Sequence, residues 1–426
     1  MVNYNSVNDV RKSSPLVLLY CLTMICCYIL PALKYSIPYM ALGALLLLTY
    51  VMCVHNSRID VNPYFFIILA ACVLGTCSFL VTQPGNLTEA INEIIRALRF
   101  LAPAILYLFL NGNGKTSYTY MKIISTTSVA LFLYITIQTL IAIEVNPMIA
   151  RILAYGLGIS DEMAAYRHQN VGGFEFSYSV GFMTVILLYM TMSQRMRWKK
   201  VLWGMLLSLN ILFVIRVQYM TLLILTMAFL VILLLKVSPN RLWKIILIIL
   251  AGIFIILIPT LANYLSQNVE ETMLAYKFGN FSNFFSSGDF SELGKRPRYL
   301  LEAIERFLRS PLWGNKIVDG GSIMAEYNEV HSTFFGYLQN MGIIGWSCFY
   351  FPIFMMTKRI ERSFVNSKSQ TVYRLIVAMF VVLSILNPIN YGFEICFTVF
   401  LIIPCILRSA EEHYGAIENG SFMQQD

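Results

Sequence analysis

Arg216 stands alone between two apolar runs. A lone guanidinium in such a place either snorkels as a helix-end anchor or projects into a polar chamber and binds an anion. Arg96 and Arg99, three residues apart, share one helical face. They are able to hold an anion together, against the alternatives of lipid-headgroup contact or pairing with Glu93. His331 is one of only four histidines. Its imidazole has either a proton-transfer role or the plainer one of a hydrogen-bonded interfacial group. Arg167 and Glu175 belong to the hydrophilic segment 144–175, and Arg296 and Arg298 to another, 263–332.

Positioning these groups requires knowing the solvent around them. With 58% apolar and 13% charged residues, a soluble chain of 426 residues would have no surface to hydrate. The reading is one membrane domain, 1–426, all-α, a polytopic transmembrane helical bundle. A helix needs about twenty residues to cross hydrocarbon, and about twelve such runs occur. They fall at 15–33, 37–54, 63–81, 94–110, 123–143, 176–192, 201–215, 218–235, 242–262, 333–356, 375–389 and 393–407. The formal charge of +8 comes from basic residues scattered singly or in small groups between those runs. That pattern speaks for topology and against nucleic acid as a partner.

Placing both termini in the cytoplasm puts Arg195, Arg197, Lys199, Lys200, Lys358, Arg359 and Arg362, among others, on the inner side, as the positive-inside rule requires. Segments 144–175 and 263–332 then face outward. Arg11 and Lys12 precede an apolar run without a small-residue cleavage pattern before Pro31, so the first span is expected to be uncleaved. All nine cysteines fall within or at the ends of apolar spans, without histidine at metal-site spacing, so neither disulfide nor metal is expected.

The longer outer segment, 263–332, contains an expected amphipathic helix at 297–309. Pro297 suits a first helical turn, while Leu300, Leu301, Ile304, Phe307 and Leu308 recur at helical spacing. Such a helix lies at a lipid surface, with Trp313 as an interfacial anchor. The chain then passes Asp319-Gly320-Gly321-Ser322 and returns to the membrane at His331.

The stretch His331-Ser332-Thr333-Phe334-Phe335-Gly336-Tyr337-Leu338-Gln339-Asn340-Met341-Gly342-Ile343-Ile344-Gly345 resembles the signature of the bacterial O-antigen polymerase and O-antigen ligase family. There, a histidine follows a large periplasmic loop and precedes a span with two glycines, as His331, Gly342 and Gly345 do. Arg216 at a turn, Arg296 or Arg298 opening a loop helix, Trp313-Gly314 after it and Gly173-Phe174-Glu175 extend the likeness from the fourth span onward. The chain departs at Ser332, where asparagine is common, at Asn340, where an acid is frequent, and at Ile215, where serine is frequent. These departures bear on substrate detail.

The resemblance implies a cofactor-free and metal-independent glycosyltransferase. It sits in the cytoplasmic (inner) membrane, with its site facing the periplasm. The enzyme would move a growing glycan from a polyprenyl-diphosphate carrier to a hydroxyl of a lipid-linked repeat unit, with a chain-length regulator as a further partner. A ligase would pass it to lipid A core instead. Within that implication His331 is the base, Arg216 and Arg298 neutralise the departing diphosphate, and Arg296, Arg96, Arg99, Glu175 and Arg167 contact substrate. Glu175, Glu326 and Glu329 are alternative bases. A flippase or transporter of an anionic lipid-linked sugar is the reading from another class. It is disfavoured by notable charges gathered on one face and by the lack of a clear internal repeat.

Overall fold

The computed structural model describes residues 15–56, 87–111, 115–153, 161–194, 196–237, 296–314, 332–389 and 392–411, with isolated positions 67, 249, 279–280, 283 and 287. Among the described residues every element is a helix. The first, α1 (Pro15–Ile29), passes directly into a short α2 (Pro31–Ser36). Pro31 lacks an N–H and has a fixed φ, so it ends one helix and opens the next. Then come α3 (Tyr39–Asn56), α4 (Leu87–Asn111) and α5 (Lys115–Val145). Two short helices, α6 (Ile149–Ile152) and α7 (Asp161–His168), occupy segment 144–175. They precede α8 (Phe174–Ser193), α9 (Arg197–Arg216) and α10 (Met220–Val237). The remaining elements are α11 (Arg296–Arg309), α12 (Thr333–Arg362), α13 (Ser367–Leu386) and α14 (Phe393–Glu411), the last with a π-helical stretch at Thr398–Ile402.

Six of these helices, α5, α8, α9, α10, α13 and α14, are long and apolar enough to cross a membrane. Shorter apolar helices cover Pro15–Ile29, Ala41–Met52 and Leu98–Asn111. The runs expected to span at 63–81 and 242–262 lie outside the described residues. Several helices outrun their apolar cores. Thus α4 begins at Leu87 rather than 94, because its first turns, Leu-Thr-Glu-Ala-Ile-Asn-Glu, are amphipathic rather than apolar.

Burial sorts the spans. In α14 the most apolar window is 83% buried and in α8 78%, whereas in α9 it is 17%. Helices α8 and α14 therefore form the interior, and α9 faces lipid. Each hides hydroxyls by returning them to its own backbone: Ser179 donates to the Glu175 carbonyl at 3.0 Å, Thr184 to Val180 at 2.7 Å and Thr398 to Glu394 at 2.6 Å. In hydrocarbon this leaves no polar hydrogen unpaired at those positions.

Basic residues collect at one end. There Glu361 on α12 bonds Arg374 on α13 at 2.6 Å and Lys358 at 3.5 Å. Glu411 closes α14 by accepting from the Val365 and Asn366 amides at 3.2 and 2.9 Å and from Arg408 at 2.8 Å. These bonds tie the α12–α13 turn to the end of α14.

Helix α12 is interrupted at Gly342, whose φ of 61° and ψ of −171° leave the helical region. The gap is filled by the turn that follows α11. Ile343 N–H donates to the Pro311 carbonyl at 2.8 Å and Ile344 N–H to the Leu312 carbonyl at 3.3 Å. A β-carbon on Gly342 would overlap the Leu312 carbonyl, and one on Gly314 (φ 80°) would overlap the backbone of Asn340. Two glycines on opposite strands of this contact thus allow backbone to dock on backbone. Helix α11 is in this way fastened to α12, with Ala303 buried and Leu301 and Leu308 exposed.

Candidate functional site

At the end opposite the basic turns, three helices bring formal charges into the interior. Lys34 of α2 lies with its ammonium 2.6 Å from a carboxylate oxygen of Glu175, on the first turn of α8, and 2.6 Å from one of Glu394, on the first turn of α14. Lys34 and Glu394 are buried, at 7 and 3% exposure, and Glu175 is half-buried at 17%. Burial alone would push the lysine towards neutrality, but the two carboxylates outweigh it and hold the ammonium above the usual lysine range.

Two guanidinium groups complete the cluster. Arg99 of α4 is fully buried, with its guanidinium carbon 4.4 Å from the centre of the Phe393 ring, and its charge acts on Glu175. Arg167 of α7 is 3% exposed and stacks at 3.9 Å on the Tyr35 ring. Its Nε and one Nη have no hydrogen-bond partner. Among the described residues, then, Lys34 and Arg99 act on Glu175 and Lys34 on Glu394, while Arg167 lies beside Tyr35 with donors unused.

Local structure explains the placement. The Ala32 N–H donates to Asn170 Oδ1 at 3.0 Å, which fixes α2 against the turn after α7. Asn170 has φ 60°, a left-handed conformation that asparagine tolerates. Gly172 N–H donates to Thr139 Oγ1 at 2.8 Å, holding the same turn to α5. Arg167 and Glu175 are thus set on either side of one clamped turn.

Of the residues singled out from the sequence, Arg99, Arg167 and Glu175 come together here. Arg96 lies one turn away on α4, and Arg296 and Arg298 open α11, but the side chains of all three lie outside the described residues. His331, Glu326 and Glu329 lie outside them altogether. The residue following the histidine is described. Ser332 caps α12 by accepting from the Phe335 N–H at 3.2 Å, and the Thr333 N–H donates to the Asn387 carbonyl at 3.3 Å. Thr333 Oγ1 accepts from the Ile389 N–H at 2.7 Å, shortly before Glu394. Arg216 sits elsewhere: it ends α9 near the surface, 44% exposed, and is paired with Glu144.

Lys34 and Glu394 were missed as site residues, although each carries a legible signal. Lys34 is the sole Lys, Arg, Asp or Glu between Lys12 and Arg58, and Glu394 the sole one between Arg374 and Arg408. A lone charge in an apolar run seeks a partner in the bundle.

The fold and cluster together define an α-helical membrane protein with a buried, charged site at one end. No protein-family model, curated protein or solved structure matches the chain.

Proposed function

We propose that this protein is a membrane glycosyltransferase of the polysaccharide-polymerase kind, drawing on a polyprenyl-diphosphate-linked glycan. The observation that carries the reading is Arg167, 3% exposed and with unused donors on Nε and one Nη, beside a buried cluster rich in cations. A buried guanidinium without an acceptor is costly unless an anion completes it. A lipid diphosphate is an anion that reaches this depth with its own apolar tail.

In this reading the acceptor hydroxyl attacks the anomeric carbon of the donor. The bond from that carbon to the diphosphate oxygen breaks as the new glycosidic bond forms, and the hydroxyl proton passes to His331. The carrier leaves as the lipid diphosphate, its growing charge met by fixed cations. Arg167 and Arg99 are assigned that task from the interior, with Arg298, Arg296, Arg96 and Arg216 as contributors from the outer segments. Lys34 and Glu175 hold the frame. The acceptor is a lipid-linked repeat in the polymerase form and a core sugar in the ligase form, and the site faces the periplasm from the inner membrane.

Transport of the same anionic lipid is a second reading, favoured by the break in α12 at Gly342 and the burial of the charges within the bundle. One experiment separates the two. Purified protein in detergent is given a lipid-linked oligosaccharide, and products are sized. Lengthened glycans, lost in His331→Ala and reduced about a hundredfold in Arg167→Ala, support transfer. No lengthening in detergent, with movement of the same lipid across proteoliposomes, establishes transport instead.

A further inference from the structure

The end of α13 carries a side chain that no step of the proposed transfer uses. Asn387 is 1% exposed, and both its Nδ2 and its Oδ1 are buried without a hydrogen-bond partner. Among the described residues it is the one uncharged side chain in that state. Its backbone gives it no freedom to find a partner. Pro388 confines it to the extended region, where its φ of −146° and ψ of 155° lie. Its N–H donates to the Leu383 carbonyl at 2.8 Å, while its own carbonyl accepts from the Thr333 N–H at 3.3 Å and from Thr333 Oγ1 at 3.4 Å. A buried amide so held is costly unless a further group completes it.

The surroundings restrict that group. The start of α12 has little left for an anion, since Ser332 Oγ takes the Phe335 N–H at 3.2 Å and Asn387 takes that of Thr333. The amide is uncharged and offers a donor and an acceptor side by side, which matches a hydroxyl. One residue beyond this contact an aromatic patch begins. In a straight helix Phe334 would stand about 18 Å from Trp346 and about 24 Å from Tyr350 along the axis. The break at Gly342 folds the chain back, so the Phe334 ring meets those of Trp346 and Tyr350 at 5.1 and 5.6 Å, and the latter two meet at 5.1 Å. All three rings are half-buried, and Trp346 Nε1 is a further buried donor without a partner. Water would satisfy the amide and leave the rings idle. A sugar uses both, setting its C–H face on aromatic carbon and its hydroxyls on the few polar groups.

We infer that Asn387 is a sugar-binding residue, its amide taking a hydroxyl of the glycan while the rings of Phe334, Trp346 and Tyr350 support the sugar face. The inference rests on the transfer reading, whose base, His331, precedes Thr333 by two residues.

Lipid-linked oligosaccharide is extracted from cells lacking this chain and given to the purified full-length protein. Binding is read from the ligand-induced shift in thermal midpoint, and turnover from the size of the product. Asn387→Leu keeps the backbone bonds and removes both unpaired atoms, so its midpoint without ligand is expected unchanged or higher. Its affinity should fall about thirtyfold, the loss of two ordinary hydrogen bonds, seen as a rise in KM with kcat little changed. Native affinity and KM in the variant overturn the inference and leave the transfer reading intact; a midpoint lowered at the same time would mark a buried water as the partner. Native protein that neither binds nor lengthens the glycan overturns both. Should the leucine variant not fold, Asn387→Ala serves, with the same rise in KM expected and an unchanged KM overturning the inference.

Discussion

Lys34 is the residue on which the charged end rests. Its ammonium satisfies two carboxylates at once, each at 2.6 Å. Removing it leaves Glu175 and Glu394 facing each other in a dry interior, so Lys34→Met is expected to destabilise the protein by about 3–5 kcal/mol, read as a fall in thermal midpoint. Arg167 should behave in the opposite way. Its guanidinium leaves donors unused, so Arg167→Leu relieves desolvation and loses only the stack on Tyr35, about 1–2 kcal/mol. The expected result is a thermal midpoint unchanged or raised, with the activity proposed above lost. A steep fall in midpoint would make Arg167 a structural residue. At the basic end, Glu361 gives a pH prediction. Burial raises its carboxyl, but the bond from Arg374 and the charge of Lys358 outweigh this, so it titrates below the ordinary value of 4.5. A depressed carboxylate contributes stability that is present above its unfolded pKa and lost as pH falls through the folded one. Denaturation midpoints measured from pH 6 to pH 3 should therefore fall more shallowly in Glu361→Gln than in the native protein.

At the scale of elements, the junction of α11 with α12 fixes α11 to the bundle. Gly342 lies seventeen residues before Arg359, about 25 Å along a helix axis and close to the hydrocarbon thickness. The docked turn leaves Leu312 and Trp313 56 and 55% exposed. Gly342→Ala and Gly314→Ala each force a left-handed residue and a clash with backbone, for at least about 2 kcal/mol. Both should speed proteolysis within segment 263–332 while leaving the distant basic end protected. Equal cleavage of native protein and variants would mean that α11 is not held by this contact. From the sequence, α11 was legible within one residue, at 297–309 against Arg296–Arg309, since its apolar spacing is local. Which apolar residues turn inward was not: Ala303 is buried while Leu301 and Leu308 are exposed, because docking through Gly342 sets the rotation.

Across the whole molecule, the ends differ in kind. One carries basic turns knitted by Glu361 and Glu411, and the other a buried charge cluster. The proposed topology, following the positive-inside rule, has the basic end in the cytoplasm. Val145 and Val365 are 76 and 80% exposed at opposite ends, which makes them suitable reporters. A membrane-impermeant maleimide should label Val145→Cys in cells whose outer membrane is opened, and Val365→Cys only after the inner membrane is breached. The reverse pattern would invert the topology and take the proposed periplasmic site with it.

Sequence by itself determined the all-helical class and the membrane character, because about twenty consecutive apolar residues answer to lipid locally, while of about twelve expected spans six described helices are long and apolar enough to cross. It also pointed to Arg99, Arg167 and Glu175, since isolated charges in or near such runs demand a reason. Only the tertiary structure decided that Lys34 joins Glu175, 141 residues away, to Glu394, 360 residues away. It likewise set Arg216 apart on the surface with Glu144. Those partnerships depend on which helices pack and how each is rotated, and in lipid that is governed by close packing and polar pairing between distant segments rather than by hydropathy.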